Sequence, residues 1–491
     1  MLARIKKNPP ILKIALAAAL IPGTFSSLAR AEGPNLGDHR IDQARIIDGS
    51  LSRRQLRAEG LRIFTTPFNR LDGYGDGPMN PEDTLSAGGR PTLGGNGTYL
   101  RVNGLDAQTC LECHTQISAA TIPPKLGIGG VGGSAANAII LPTQIDTADL
   151  QDGDGEAGFN GRFANPPFLF GASGVEMLAL EMTEDLLALR DHAISQPGVR
   201  VALQSKGVGF GSIVADADGA IDTSQLQGVD DDLIVRPFGR KGEFATTRDF
   251  DIEAMQFHFG MQPVEVVGQG VDGDRDGVVN EITVGELSAL QIFATTAPRP
   301  FQLELSPAGE RGSASFVDLG CENCHRSSLD TRGTSLPLRF PAQADQPRLN
   351  IYRQIKLTRG APGFAPNGSG GVTVPLFADL KRHDMGEGLA EDFGLVTSER
   401  NREFTTARLW GIADTAPYLH DGRATTLTDA ILMHGGEAQT ARDRFAALSE
   451  EARSDVIEFL KSLKVPDGKF SRLVKSEPKP GKKRRGKREG N

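Results

Sequence analysis

The pattern of apolar and polar residues is clearest near the C-terminus, where it predicts a helix. Ser449 is a suitable N-cap, and Glu450 and Glu451 place negative charge in the first turn. Apolar residues then recur at helical spacing and would form one buried stripe. The stripe consists of Val456, Ile457, Leu460 and Leu463.

A second helical pattern begins at the capping residue Thr426. Leu427, Ile431 and His434 follow at positions i, i+4 and i+7, which lie on one face of a helix. Met433 is adjacent in sequence but lies about 100° away around the helix axis. The pattern therefore predicts that His434 is presented from an apolar face.

Short helices and loops dominate the remaining pattern, and few alternating strands are evident. Glycine- and proline-rich stretches at Gly127–Gly133 and Ala361–Gly371 indicate loops. The segment Ser205–Thr247 has little amphipathic order and is interpreted as an insertion. These features predict a mainly α fold with long loops and little sheet.

The first 31 residues have the three parts of a secretory signal. A basic start is followed by the apolar run Ile14–Ile21 and by the small-residue end Ala29–Ala31. Pro22 and Gly23 interrupt the apolar run well before the ~20 residues that a membrane span requires. The segment predicts export to the periplasm, with cleavage after Ala31, and no membrane span.

Composition and charge narrow the class of protein. Of the 491 residues 38% are hydrophobic and 59 are glycine, which excludes disorder throughout and a polytopic membrane protein. Between the signal and the basic tail, residues 32–474 contain 41 basic and 60 acidic residues. An acidic body of this kind repels nucleic acid, so no nucleic-acid partner is expected.

The only four cysteines of the chain occur as two C-x-x-C pairs, each followed by histidine. This C-x-x-C-H spacing is the attachment signature of c-type haem. Two thiols three residues apart can add to the two vinyl groups of one porphyrin, and the histidine can bind the iron. The predicted attachment residues are Cys110, Cys113 and His114 for one haem and Cys321, Cys324 and His325 for the other.

The cysteine pairs have two alternative interpretations. A Cys₄ zinc site would have to bring both pairs together and leave both histidines unused. A thioredoxin-like redox pair would need a βαβ setting, for which the sequence gives no sign. Two covalent haems are the favoured interpretation, and they require export, in agreement with the signal segment.

The two motifs predict a domain organisation. Similar lead-in residues precede each motif, which suggests a distant duplication of one cytochrome-c-like haem domain. Residues 32–300 are predicted to form an N-terminal haem domain with an insertion, and residues 301–470 a C-terminal haem domain. Residues 1–31 are the signal, and residues 471–491 form a basic disordered tail.

The remaining histidines and methionines determine how each iron is coordinated. His434 is the predicted second ligand of the C-terminal haem, with Met433 as its rival. His383 and His420 occur in loop-like contexts and are predicted to orient ligands, and Arg423 to pair with a haem propionate. Three candidates remain open for the N-terminal haem, whose sixth position would otherwise be free for peroxide or dioxygen. They are His258, Met255 and Met261.

Two carboxylates are candidates for proton transfer beside the N-terminal haem. Glu176 and Glu181 lie in a predicted helix that follows the turn Ala164–Gly171. A carboxyl group in an apolar pocket could move a proton between the two oxygens of bound peroxide. An ordinary solvent-facing role is the alternative for each.

A further loop resembles the start of a calcium site. Asp272, Asp274 and Asp276 occupy positions 1, 3 and 5, and glycine follows at position 6. Position 12 is Thr283 rather than glutamate, so Glu281 or Glu286 would have to substitute. Calcium binding is therefore left open by the sequence. Both Glu281 and Glu286 lie close enough to position 12 in sequence to supply the missing ligand.

The chain resembles the di-haem oxidoreductase family, which is related to bacterial di-haem cytochrome c peroxidases and MauG. The resemblance covers about residues 60–465 and is most specific in the segments that begin at His383, Thr405 and Tyr418 and in His434–Ala438. It implies that His434 is the distal ligand of a six-coordinate C-terminal haem, which receives electrons, and that the N-terminal haem is reactive.

The resemblance and the motifs together predict a periplasmic di-haem c-type oxidoreductase. Its expected activity is the reduction of a small oxidant such as hydrogen peroxide, with electrons from a small cytochrome c or cupredoxin. An oxygenase that acts on an organic substrate is one alternative, because similar di-haem frames cleave polyisoprene with dioxygen. A non-catalytic electron carrier is the other.

Overall fold

Helices and strands alternate in short elements in a computed structural model, which describes residues 35–75, 107–114, 139–146, 158–360, 363–391 and 398–467. The signal (1–31), the basic tail (471–491) and the loop 127–133 lie outside these residues. The described α-helices are α1 Gln43–Ile47, α2 Arg53–Thr65, α3 Cys110–Cys113, α4 Ser173–Ser195, α5 Thr247–Phe259, α6 Val264–Val267, α7 Val284–Thr296, α8 Pro307–Asp318, α9 Ser398–Arg402, α10 Leu427–Leu432, α11 Gln439–Ala446 and α12 Glu450–Leu460.

The described strands pair in six small antiparallel sheets. The sheets are β1–β2, β3–β4–β5, β10–β11–β7, β8–β9, β12–β13 and β14–β6. Their bounds are β1 Ile139–Asp146, β2 Gly158–Ala164, β3 Arg200–Ser205, β4 Val208–Ala215, β5 Ile221–Leu226, β6 Phe301–Gln302, β7 Leu329–Asp330, β8 Ser335–Arg339, β9 Ile351–Lys356, β10 Ala365–Pro366, β11 Val372–Val374, β12 Arg382–Asp384, β13 Glu403–Thr405 and β14 Leu463–Lys464.

The prediction of a mainly α fold with two cytochrome-c-like domains and little sheet is wrong. In the part of the chain that the structure describes, helices account for 38% and strands for 16% of the residues, and several small sheets are present. The segment Ser205–Thr247, interpreted as an insertion without amphipathic order, contains most of a three-stranded sheet. In β3 exposed and buried residues alternate as a strand requires. Such strands are too short for their alternation to stand out along the chain.

The first helix pair, α2 with α7, lies close to the N-terminal haem motif. Gly60 permits the close approach, because a Cβ atom there would lie 2.3 Å from the carbonyl oxygen of Ala289. One turn further along each helix, the rings of Phe64 and Phe293 are 5.6 Å apart. The crossing therefore depends on a small residue followed by an aromatic pair.

The second helix pair, α8 with α12, precedes and follows the C-terminal haem motif in the same way. A Cβ atom at Gly312 would lie 1.9 Å from the carbonyl oxygen of Asp455. The rings of Phe316 and Phe459 are 5.3 Å apart. The spacing Gly-x-x-x-Phe thus occurs in both α2 and α8, and the two halves repeat one packing device.

The caps and the stripe predicted near the C-terminus are confirmed in part. The Ser449 hydroxyl accepts a hydrogen bond from the amide of Ala452 at the start of α12, and the Thr426 hydroxyl caps α10. Val456 and Leu460 are buried, but α12 ends at Leu460 and Leu463 belongs to β14. In the described part of the chain, no helix has the length and apolar character that a membrane crossing needs.

Candidate functional site

The N-terminal motif forms the single-turn helix α3. Thr109 caps it by accepting a hydrogen bond from the amide of Leu111, and its own hydroxyl donates to the Phe64 carbonyl at 2.9 Å. This second bond joins the motif to the end of α2. The amide of His114 donates to the Cys110 carbonyl at 3.0 Å. The two thiols and the imidazole are therefore set on one tight turn.

His114 is oriented by a backbone carbonyl. Its Nδ1 atom lies 3.1 Å from the Pro167 carbonyl oxygen, a distance at which a protonated Nδ1 donates a hydrogen bond. Burial lowers the pKa of this imidazole to about 4, so it is neutral at physiological pH. Nε2 is then the nitrogen with a lone pair for iron, as a haem ligand requires.

The C-terminal motif repeats this arrangement. The amide of His325 donates to the Cys321 carbonyl at 2.9 Å, and its Nδ1 lies 3.1 Å from the Phe377 carbonyl oxygen. Burial again lowers the pKa of the imidazole to about 4. The two motifs, far apart in sequence, share one backbone turn and one mode of orienting the histidine.

His434 lies directly opposite His325. It follows the end of α10, and its Nδ1 is 2.7 Å from the Ala430 carbonyl oxygen, which leaves Nε2 for a ligand. The ring centroids of His325 and His434 are 6.4 Å apart. Two imidazoles bound to opposite faces of one iron would have centroids about 6.3 Å apart, given metal–nitrogen bonds of ~2.0 Å. Met433 is 40% exposed and does not compete for this position.

All four cysteines fit covalent attachment. None of them is in a disulfide. In each motif the two thiols are separated by one turn, next to an imidazole that is neutral and oriented by the backbone. The donor set therefore matches a thioether-bound haem at both motifs and offers a second nitrogen ligand at the C-terminal one.

The distal candidates of the N-terminal motif are separated by the structure. Met255 and Met261 are fully buried in the larger core. His258, near the end of α5, lies close enough to His114 for its charge to help lower the pKa of that imidazole. His258 thus lies near His114, while both methionines lie in the core that also contains Cys113, so the sixth ligand stays a prediction with three candidates.

Glu176 is a buried acid with a perturbed pKa. Its Oε2 accepts hydrogen bonds from the amide and the hydroxyl of Thr247 at 3.1 and 2.8 Å. Desolvation nevertheless dominates and raises its pKa to about 7. Asp251 is buried nearby, and desolvation raises its pKa well above the usual value as well. Glu176 can therefore change protonation near neutral pH.

Glu181 has a structural environment. Its carboxylate accepts hydrogen bonds from Lys206 Nζ at 2.5 Å and from the amides of Arg332 and Gly333 at 2.9 and 3.0 Å. These contacts tie α4 to the loop after β7. Glu176 and Glu181 thus lie in different environments, which their similar sequence context did not reveal, and the catalytic role of each stays a prediction.

His383 lies beside the C-terminal motif, as expected of an orienting group. It is held between Asp379, at 2.8 Å from Nε2, and Glu437, at 2.7 Å from Nδ1, and lies 3.8 Å from Cys324 Sγ. Hydrogen bonds to Asp379 and its other neighbours outweigh desolvation and raise the pKa of His383 to about 11. A fixed positive charge flanked by carboxylates therefore lies at the edge of this site.

His420 and Arg423 occupy the loop before α10. The His420 ring stacks on Phe404 with centroids 4.4 Å apart. The Arg423 guanidinium is held by Asp421 at 2.5 Å and by the Gly388 carbonyl at 2.8 Å. The predicted role of Arg423 as a propionate partner stays a prediction.

Asn165, which the sequence did not single out, links the two halves. Its Nδ2 donates to the carbonyls of Pro417 and Leu419 at 2.8 and 2.9 Å, and its amide donates to the His420 carbonyl at 2.8 Å. Two residues later, Pro167 accepts the hydrogen bond of His114. The only sequence signal was the Asn-Pro-Pro run itself, which fixes the backbone between these contacts.

The acidic loop after α6 brings its three aspartates together. One carboxylate oxygen each of Asp272, Asp274 and Asp276 lies within 4.8 Å of the others. Of the two proposed substitutes at the missing position, Glu286 is held by Arg40 at 2.7 Å and by the cap of α7. Glu281 is the one that remains beside the loop.

Residues 367–463 match the family described as "Di-haem oxidoreductase, putative peroxidase". This segment contains the predicted ligand His434 together with His383 and Arg423. Over these residues the chain is similar to the di-haem oxidoreductase family. The predicted resemblance is confirmed on this segment, and with it haem as cofactor and oxidoreductase as the class of enzyme.

Other comparisons add little. No curated protein matches the chain. Among solved structures, hydrazine synthase of Kuenenia stuttgartiensis is 16% identical and covers 92% of this chain and 100% of its own, with a TM-score of 0.32. A MauG-like protein associated with microbial copper homeostasis is 14% identical over 54% of this chain and 81% of its own, with a TM-score of 0.28. Scores this low carry no argument about fold or reaction.

Proposed function

We propose that this di-haem oxidoreductase is an exported enzyme with two covalent c-type haems, which reduces peroxide with electrons from a small donor protein. The observation that supports this most is the facing pair of His325 and His434, 6.4 Å apart. Such a pair suits a six-coordinate haem for electron entry. His114 is anchored in the same way and suits the reactive haem.

Bound haem supplies one-electron redox chemistry and a metal centre at which the O–O bond of peroxide is cleaved. The reduction of one hydrogen peroxide to two waters consumes two electrons and two protons. The chain's own residues therefore have to fix both groups, keep their ligand nitrogens neutral and deliver protons. The carbonyls of Pro167 and Phe377 orient the two imidazoles. Burial keeps both imidazoles neutral, because it lowers the pKa of each to about 4.

A proton reservoir is available in the larger core. Glu176 has its pKa raised to about 7 by burial and is held by Thr247. A group with a pKa near the working pH can both give and accept a proton. Glu181 is held by a lysine and two amides and is not assigned this task.

Contact between the halves supports electron transfer between the haems. Asn165 bonds three backbone groups of the loop before α10, and the adjoining Pro167 orients His114. The C-terminal motif packs in the same smaller core as Tyr418 of that loop. Hydrogen bonds therefore join the segment that orients His114 to the loop before α10. The acidic body also favours a donor protein with a basic docking face.

Two measurements test the proposal. Electron paramagnetic resonance of the ferric protein should show one low-spin haem assigned to His325 and His434 and a second, distinct haem. Steady-state assays should show peroxide-dependent oxidation of a reduced cytochrome c or cupredoxin. Dioxygen uptake with an organic substrate would instead identify an oxygenase. Two low-spin haems in every redox state, without turnover, would identify an electron carrier.

A further inference from the structure

We propose that the loop Asp272–Gly277, with Glu281 behind it, binds one calcium ion. The loop has the sequence Asp-Gly-Asp-Arg-Asp-Gly, with aspartates at alternate positions. One oxygen from each aspartate lies within 4.8 Å of the others. Three convergent carboxylates followed by glycine form the first half of an EF-hand-type calcium loop. The site is distinct from both haem motifs, and the inference does not depend on the reaction.

Buried, unpartnered oxygens in the cluster point to a missing cation. Asp274 is 3% exposed, and its Oδ2 has no hydrogen-bond partner. Oδ1 of Asp272 is likewise buried and without a partner. The other oxygen of Asp272 accepts the amide of Gly277 at 3.1 Å, which turns the loop around the cluster. Buried carboxylate oxygens without a donor are costly unless a cation binds them.

Glu281 adds a fourth negative charge. It is 1% exposed, and its Oε2 accepts the amide of Gln262 at 2.6 Å. A buried carboxylate beside three others is costly unless a cation balances the group.

The ligand set suits calcium rather than magnesium. Position 12, where an EF-hand has its bidentate glutamate, is Thr283, and this residue caps α7. The three aspartates would therefore bind the cation together with a nearby glutamate, and a backbone carbonyl and water would complete the set. Calcium accepts such irregular sets of oxygen ligands, whereas magnesium requires a near-ideal octahedron.

The site also abuts the approach to the N-terminal haem motif. Gly73 has φ +87°, and a Cβ atom there would lie 2.2 Å from Glu281 Cγ. The loop that contains Gly73 begins at Phe68, whose amide donates to the Gln108 carbonyl at 2.9 Å, just before the motif. A cation that fixes Glu281 would thus brace the segment from which the N-terminal haem is attached.

The test uses the full-length holoprotein, stripped with chelator and titrated with CaCl₂ by calorimetry. We expect one calcium per chain, selectivity over MgCl₂ and a calcium-dependent rise in thermal stability. Asp274→Asn should lower calcium affinity by about tenfold or more. The same substitution should raise the stability of the chelated protein, since it removes a repelled charge. Asp272→Asn, at a less buried position, should weaken binding in the same direction.

Glu304→Gln is the matched control, because it removes one exposed carboxylate outside the cluster and should leave binding unchanged. Three results would overturn the proposal. They are no binding at millimolar calcium, equal affinity for magnesium, and unaltered calcium affinity in both aspartate variants.

Discussion

The two haem motifs share their proximal half and differ in what faces the histidine. His114 and His325 each bond a backbone carbonyl through Nδ1 at 3.1 Å. Opposite His325, His434 is itself fixed by the Ala430 carbonyl. Near His114 lies His258, which is partly exposed at the end of α5 and is one of three candidates for the sixth ligand. Backbone carbonyls thus orient both His325 and His434 at the C-terminal motif, and one backbone carbonyl orients His114 at the N-terminal motif.

The titratable groups in the two regions also differ. Beside the C-terminal motif, His383 lies between Asp379 and Glu437, and hydrogen bonds to these and other neighbours raise its pKa to about 11. In the larger core, Glu176 has a pKa of about 7. Fixed charge keeps the electrostatic potential constant during electron transfer, whereas a group that titrates near neutrality can exchange protons with a substrate. A fixed charge beside the C-terminal motif suits the electron entry that we propose there.

Removing one attachment site at a time has the largest expected effect. Cys110→Ala with Cys113→Ala should halve the haem content and abolish peroxide turnover, while the C-terminal haem stays reducible. Haem per chain from the pyridine haemochrome spectrum and donor oxidation rates provide the measurement. The matched pair, Cys321→Ala with Cys324→Ala, should also halve haem content but stop electron entry. Turnover that survives the first pair would place the reactive haem in the other half.

Much of this comparison can be predicted from the sequence. Local spacing predicts the attachment residues, because their pattern involves residues close together along the chain. Helical periodicity predicts His434 on a helix, but α10 ends at Leu432 and His434 lies after its end. Asn165 and the distinction between Glu176 and Glu181 were not accessible, because they depend on tertiary partners. The strands were missed for a related reason, since two-to-eight-residue strands are stabilised by cross-strand partners rather than by their own pattern.

Removal of the distal ligand at the C-terminal site is expected to make the two sites more alike. His434→Ala should convert the C-terminal haem from low spin to high spin, because the sixth ligand is lost. The change should be visible by electron paramagnetic resonance and in the Soret band, and added imidazole should restore the low-spin signal. Electron uptake from the donor should slow as well.

Met433→Leu is the control for this substitution. Its side chain is 40% exposed, so the spectrum should not change. If His434→Ala left the low-spin signal intact while Met433→Leu removed it, the assignment of the ligand would have to move by one residue.

Replacing Glu176 tests the proton side of the comparison. Its pKa is raised from 4.5 to about 7, so the folded protein binds a proton that the unfolded chain has lost in this range. Stability should therefore fall as the pH rises from about 4.5 to 7, by up to about 3 kcal/mol from this group alone. Glu176→Gln should flatten that part of the profile, as measured by urea unfolding at several pH values.

Glu304→Gln, which removes an exposed carboxylate, should keep the slope of the native protein. An unchanged slope in Glu176→Gln would instead assign the titration to another buried acid, for which Asp251 is the first candidate because burial raises its pKa too. Peroxide turnover measured over the same pH range should lose its dependence near pH 7 if Glu176 handles the substrate proton.

The smallest expected effects concern the packing device that both halves repeat. Gly60→Ala would place a Cβ atom against the Ala289 carbonyl, and Gly312→Ala against the Asp455 carbonyl, and neither backbone can move without shifting its helix. Each change should cost about 1–3 kcal/mol in the free energy of unfolding. Gly209→Ala, where no atom lies within 4 Å of the added methyl, should change the free energy of unfolding little.

If the two halves repeat one packing device, Gly60→Ala should first perturb the N-terminal haem spectrum during urea unfolding. Gly312→Ala should first perturb the C-terminal haem spectrum. Loss of both haem signals together in each variant would show that the halves unfold as one unit. Contacts between the halves, such as those of Asn165, would then be stronger than the packing of either helix pair.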